Sequence, residues 1–541
     1  MHRRADHRAP AVRVAAGDGP PLPRDRAPAP HDAASSPLVD DARNGGQLPE
    51  RQARRGCHGL PAVTARLEPW QVALCTEPER LRALLEQYGS PLNIHHPGPF
   101  ERNVARLRDV AASRDVRLEI LFARKADKAL AYVDAARRLG IGVDTASEAE
   151  LDQALDRGGP PELLVSTAAV KSERLLRTCL LAGVAIVLDN EDELDRVRRL
   201  AATTGVRASV MVRLGGFRVE GERLPTRFGF DLDEAPALGT RLASTELRDL
   251  VRLVGLHFHL DGYAASHRVA AITQCLPLVD AFRAQGHPVR SLDVGGGLPM
   301  SYVDDRAQWE AFQRALRAAL RGEREPVTYR NHGLGLQVVD GRTVGRLATY
   351  PYHQEPTAAA WLAQILDAPD PDGSGSLADA FHDRDLTLRC EPGRSLLDGC
   401  GITIARVEHR KRHVDGTWSV GLAMNRTQCS TAKADHAVDP LLLPLETPGE
   451  DRSAPIEGFL TGASCTEGEL LTWRRLRFPL GVARGDLVVL PNTAGYLMHF
   501  VESRSHQFPL ATNLVVAPDL HRFDVDPIDA RWFDTDAAQI G

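Results

Sequence analysis

The run LEILFARK ends on Lys125, a cation closing a short apolar segment. Such a lysine either snorkels to the surface or, where burial and neighbours lower its pKa, forms a Schiff base. Asp144 closes a second apolar run and is followed by TASEAEL. Further along, LHFHLDGY sets His257 and His259 two residues apart, on one face of any strand they share. A metal pair is one reading, but no carboxylate or cysteine stands at a ligand spacing, so no metal is expected. Asp293 precedes Gly295-Gly296-Gly297, a run that either makes a tight turn or lets backbone N–H groups approach a phosphate. Glu391-Pro392-Gly393-Arg394 then puts a carboxylate and a guanidinium at the end of one further apolar run.

Together these groups suit a phosphorylated pyridine aldehyde. Lys125 would form the imine, while the glycine backbone and Arg394 would hold the phosphate. Glu391 would face the pyridine nitrogen and keep it protonated, strengthening the ring as an electron sink, and His259 would stack on the ring.

Something must carry these residues to one place. Between Leu118 and Glu391, short apolar segments alternate with amphipathic stretches such as ALAYVDAARRL. That is the pattern of a parallel sheet with crossover helices. The strand candidates are 118–123, 142–144, 163–166, 185–188, 209–214, 254–260, 291–294 and 387–391. Eight such strands close a (β/α)8 TIM barrel, whose active residues project from the C-terminal strand ends. From about Gly401 the character changes to β-type runs at 401–407, 418–422, 486–490 and 512–516, punctuated by Gly and Pro. These predict a C-terminal antiparallel β domain.

At 541 residues, two domains are expected. The divisions are a disordered Arg/Pro/Asp-rich leader at 1–63, or sequence upstream of the true start, and a segment at 64–89 that joins the β domain. The barrel then spans 90–399, with an insertion at about 323–384, and the β domain 400–541. A net charge of −6 gives no basic surface for nucleic acid or an anionic membrane, and no apolar run reaches the ~20 residues of a membrane helix. Eight scattered cysteines without a C-x-x-C pair fit free thiols in a reducing cytoplasm.

The order FARK, GVDTASEAEL, HFHL, DVGGG, EPGR, a Cys-containing loop and AGY resembles the pyridoxal-phosphate decarboxylases of the ornithine and diaminopimelate decarboxylase family, over about Leu92–Phe500. The resemblance implies an alanine-racemase-like barrel plus a β domain. It implies pyridoxal 5'-phosphate as cofactor, with Lys125 as Schiff-base lysine and His259 stacked on the ring. Glu391 falls at the pyridine nitrogen, and Gly295, Gly296, Gly297, Gly393, Arg394 and Tyr496 around the phosphate. Asp144, Glu150 and Arg213 match supporting positions. Cys465, in TGASCTEGE, matches a proton donor supplied by the second subunit of a homodimer with shared sites. Arg394, Thr466, Glu467 and Tyr496 are the expected contacts to an amino-acid-like substrate.

The chain departs from that family in four places. Arg124 precedes the lysine where a small or apolar residue is usual. Asp261-Gly262 replaces a Gly-Ser pair, removing a hydroxyl contact to the phosphate. Thr466 stands where the family has an acidic residue that reads the substrate's distal group, and the insertion carries TYPYHQ. Cofactor chemistry is therefore expected intact and substrate recognition rebuilt, for a substrate that is neither ornithine nor meso-diaminopimelate. The expected reaction is decarboxylation through an external aldimine and a quinonoid. The alternatives are a racemase or epimerase on the same barrel, which would place an arginine at the pyridine nitrogen, and a non-enzymatic pyridoxal-phosphate carrier, which would lack the β domain. A zinc-dependent barrel hydrolase is more distant.

Overall fold

The computed structural model describes residues 59–371, 375–431 and 436–530; the leader up to residue 58, Cys57 included, lies outside them. Eight parallel strands close a barrel: β1 (Leu118–Ala123), β2 (Gly142–Thr145), β3 (Leu164–Ser166), β4 (Ala185–Leu188), β5 (Ala208–Gly215), β6 (Val251–Phe258), β7 (Ser291–Asp293) and β8 (Thr387–Cys390). Pairing of β5 with β6, and of β8 with β1, shuts the ring. These are the eight segments expected from the sequence. They are legible because a strand buried on both faces reads as an unbroken apolar run.

Leu121, Val165, Val187, Met211 and Val254 fill the barrel interior as one apolar layer. Alternation does the rest. Two residues beyond Val165, Val187 and Met211 come Thr167, Asp189 and Arg213, so polar groups gather at the C-terminal mouth. The outer helices start and stop by ordinary chemistry. Ser147, Ser172 and Asn190 accept from backbone N–H groups at their N-termini, and Gly140, Gly183 and Gly205 end helices in the left-handed conformation.

Between β7 and β8 the expected insertion is displaced toward the N-terminus. Helix Ala358–Leu366 packs in the outer ring between helices Gly98–Ala112 and Ala265–Ala284, so it is the regular crossover helix and not inserted material. The extra layer precedes it, with helix Arg306–Leu320 and the hairpin Leu336–Val339/Arg342–Gly345. Helix Arg306–Leu320 has an apolar stripe that reads as a crossover, yet Trp309, Phe312 and Leu316 pack on Tyr302, Tyr350 and Tyr352 in a core of their own.

The second sheet is mostly antiparallel but takes in two parallel pairs, making it mixed. Strand Trp418–Leu422 runs parallel to Ile456–Thr461. Strand Leu92–His95, beyond the expected boundary at residue 90, lies between Gly401–Arg412 (antiparallel) and Thr512–Val516 (parallel). Helices Pro69–Cys75 and Pro78–Tyr88 cover this sheet, contributing Trp70, Leu74, Leu81 and Leu85 to its core. No helix among the described residues is long and apolar enough to cross a membrane.

Candidate active site

β1 runs straight into a single 3-10 turn, Arg124–Ala126, which delivers Lys125 to the mouth. Lys125 Nζ stands 3.1 Å from Asp144 Oδ2 at the end of β2. Burial favours the neutral amine, but Asp144, with Tyr496 and Glu391, outweighs it and holds the ammonium above the ordinary lysine range. The other Asp144 oxygen accepts from the Thr167 hydroxyl beyond β3. The neighbouring Arg124 turns away, donating to the Asp127 and Lys128 carbonyls and to Gln153 Oε1.

A second chain of contacts runs through Arg213. Its Nη1 meets Asp189 at 3.0 Å, its Nη2 the Thr167 carbonyl at 3.0 Å, and its Nε donates to His257 Nδ1 at 3.3 Å. An imidazole nitrogen that accepts carries no proton, so the His257 proton is on Nε2, 3.1 Å from Glu391 Oε1. Burial first, then the Arg213 charge, pushes the His257 pKa well down, so it stays neutral. Glu391 thus receives a neutral N–H donor that fixes its position. Asp293 lies beside this pair, its carboxyl pushed well up by burial and then by Glu391. His257, Asp293 and Glu391 are close enough to share a cation, but the Arg213 guanidinium in contact with His257 opposes one electrostatically. His257 had been weighed in the sequence only as half of a metal pair; its same-face spacing with His259 was the available signal.

At the other end of the mouth, Gly295 and Gly297 take φ of +66° and +85°. A Cβ on Gly296 would lie 2.8 Å from the Glu391 carbonyl, and one on Gly393 would lie 2.8 Å from Ala126 Cβ and 3.0 Å from Tyr496 Oη. Side chains are excluded and backbone is offered instead. Tyr496 (φ +71°) is pinned by its own N–H donating to Ala126 O at 2.8 Å. His259 Nδ1 accepts from Gly296 N at 3.4 Å, and burial pushes its pKa down to about 4, so the ring is neutral. Arg394 donates from Nη1 to Tyr302 Oη at 2.6 Å and Gly495 O at 2.9 Å, and lies over the rings of Tyr350 (4.2 Å) and Tyr496 (4.9 Å). Tyr302 and Tyr350 belong to the extra layer; Tyr350 stands in the TYPYHQ run, whereas nothing in the sequence around Tyr302 announced it.

Lys125, Asp144, Arg213, His259, Gly295–Gly297, Glu391, Gly393, Arg394 and Tyr496 are therefore contiguous around one barrel mouth. Glu150 stands behind it, its Oε2 accepting from Ala146 N at 2.6 Å at the start of helix Glu148–Asp156. Cys465, Thr466 and Glu467 are not brought there. They are exposed; Cys465 Sγ lies 3.5 Å from His506 Nε2, Thr466 contacts Ser464, and Glu467 pairs with Arg330 at 3.4 Å.

The donor set fits pyridoxal phosphate: an amine that could take its aldehyde, a glycine turn that a Cβ would obstruct, and a buried carboxylate that could face its pyridine nitrogen. A family model described as "Pyridoxal-dependent decarboxylase, pyridoxal binding domain" matches residues 100–331. The chain is 31% identical over 436 residues to the uncharacterized protein y4yA of Sinorhizobium fredii, covering 80% of this chain and 89% of that one. It is 26% identical over 439 residues to the diaminopimelate decarboxylase of Pseudomonas aeruginosa, covering 78% of this chain and 87% of the relative. Its fold matches the crystal structure of Helicobacter pylori diaminopimelate decarboxylase complexed with L-lysine, with a TM-score of 0.60 and 17% identity over 85% of this chain and all of that one.

Proposed function

The chain belongs to the pyridoxal-phosphate-dependent decarboxylases, and from that premise we propose that it removes the α-carboxylate of an amino acid or amino-acid-derived substrate. The observation that carries this reading is Glu391, a buried carboxylate facing the His257 Nε2 proton. When bound, pyridoxal phosphate supplies the aldehyde that captures the substrate amine and the ring that takes up the electron pair left by departing carbon dioxide.

The chain's own residues do the rest. Lys125 would hold the cofactor through its aldehyde, and Asp144, kept in place by Thr167, would orient the Lys125 amine. Glu391 would face the pyridine nitrogen and favour its protonated form, and His257, itself held by Arg213, fixes the position of Glu391. His259 remains uncharged against the ring face, adding no positive charge there. The glycine turn, Gly393, Arg394 and Tyr496 anchor the phosphate, and Arg394 with its tyrosines borders the substrate.

Return of the proton to the reacting carbon is assigned to Cys465. In one chain it is exposed and contacts His506, so it would act on the site of a second copy in a homodimer. With Thr466 and an Arg330-paired Glu467 beside it, this loop lacks the free acid that would read a distal ammonium, which favours a substrate other than ornithine or meso-diaminopimelate.

The test is carbon dioxide release from L- and D-amino acids and carboxylated amine conjugates. On the best substrate, Glu391→Gln should slow the chemical step by about 10²-fold or more while the cofactor stays bound. A racemase would instead exchange the α-hydrogen with deuterated water and keep the carboxylate; that result would overturn the reading.

A further inference from the structure

Arg268, near the start of helix Ala265–Ala284, is wholly buried. Its Nη2 donates to Leu260 O at 2.8 Å and to Gly296 O at 3.4 Å. Its Nε and Nη1 have no hydrogen-bond partner, and among the described residues no carboxylate forms an ion pair with it. The guanidinium lies beside Gly297 and near Gly262: a Cβ on Gly297 would sit 2.2 Å from Nη2 and 3.2 Å from the Gly262 carbonyl. It thus wedges between the loop after β6 and the glycine turn after β7. Trp361 of the crossover helix backs it, the ring centroid 5.6 Å away.

A buried guanidinium with two unmatched donor groups costs folding free energy unless an anion compensates it. Burial lowers its pKa to about 10, with Tyr263 and Asp261 pulling the other way, so the charge persists at neutral pH. The place where this charge waits is the place where the expected hydroxyl donor has been replaced by Asp261-Gly262.

We propose that Arg268 is the cationic floor of the cofactor's phosphate site, a charge held under the glycine turn and neutralised when the phosphate arrives. The inference rests on pyridoxal phosphate being the cofactor, which trapping of an adduct on Lys125 tests independently. Arg268 would contribute little to the empty protein and much to the loaded one. That pattern separates it from a merely structural arginine.

The experiment compares wild type with Arg268→Met, both stripped of cofactor, by titrating pyridoxal phosphate and then unphosphorylated pyridoxal and following imine absorbance. Arg268→Met should weaken pyridoxal phosphate about 100-fold and leave pyridoxal affinity unchanged. Stripped Arg268→Met should melt no lower than stripped wild type, while its gain in Tm on adding pyridoxal phosphate shrinks. Equal weakening of both ligands or unchanged pyridoxal phosphate affinity would each overturn the proposal. If Arg268→Met does not accumulate folded, Arg268→Lys carries the test. A selective loss of pyridoxal phosphate affinity then supports the proposal, and an unchanged ratio of the two affinities sinks it.

Discussion

At the barrel mouth, Lys125, Asp144, Thr167, Arg213, His257 and Glu391 are each tied to another member of the set, and most are buried. In the β domain, the loop carrying Cys465, Thr466 and Glu467 is exposed, and its polar contacts go to Ser464, His506 and Arg330, none of them a mouth residue. The mouth is assembled within one chain, whereas the Cys465 loop contacts none of its residues through the polar groups described. On the proposed reading, holding a cofactor and finishing a reaction are separate tasks, with separate ways to fail.

The largest expected effect breaks the mouth. Lys125→Ala should abolish the adduct that borohydride traps and lower turnover by at least about 10⁴-fold. A trapped adduct in that variant would mean another amine does the work. A smaller effect sharpens the contrast: Cys465→Ala should keep full cofactor absorbance while losing most product formation. Mixing Lys125→Ala with Cys465→Ala protein should then recover roughly a quarter of wild-type activity, because random exchange leaves one intact shared site per hybrid dimer. No recovery despite demonstrated subunit exchange would place Cys465 outside the site.

The smallest effect compares one histidine from each region. His259 at the mouth and His436, whose Nε2 donates to Pro491 O, are both pushed by burial to about 4. Their folded pKa lies below the unfolded value near 6.5, so the unfolded chain takes up protons first. Stability should therefore fall as pH drops from about 6.5 to 4, by up to about 3 kcal/mol per histidine, and level off below that. Urea midpoints at pH 7 and 4.5 measure it. His436→Gln, which can keep the bond to Pro491, should flatten the dependence; an unchanged slope would remove His436 from the account.

The same contrast governs what could be read in advance. The barrel strands were legible because each is a short apolar run buried on both faces, and polar residues at their ends marked the mouth. Leu441–Leu443, Leu476–Phe478 and Phe523–Val525 were not anticipated, since strands of three residues carry too little alternation to read. The Thr167 and Asp189 contacts to Arg213 follow from alternation past an apolar layer, a signal present but unused. Tyr302 had no signal and Tyr350 only its place in the TYPYHQ run, because their approach to Arg394 depends on how the extra layer folds back over the barrel. Arg268 looked like any helical arginine until its missing partners were counted.

Strand Leu92–His95 has a consequence for biosynthesis. Asn93 donates to Asn513, 420 residues later, and the strand's parallel partner is Thr512–Val516. A ribosome adding about 5–20 residues per second needs roughly 20–80 s to cover that interval, ample for the barrel strands to close first. Through that delay Leu92–His95 has a bare hydrogen-bonding edge on a nascent chain, open to the wrong strand or the wrong chain. Its parallel neighbour emerges only after that interval, so truncation before Thr512 should leave a barrel tethered to an unfinished, aggregation-prone sheet.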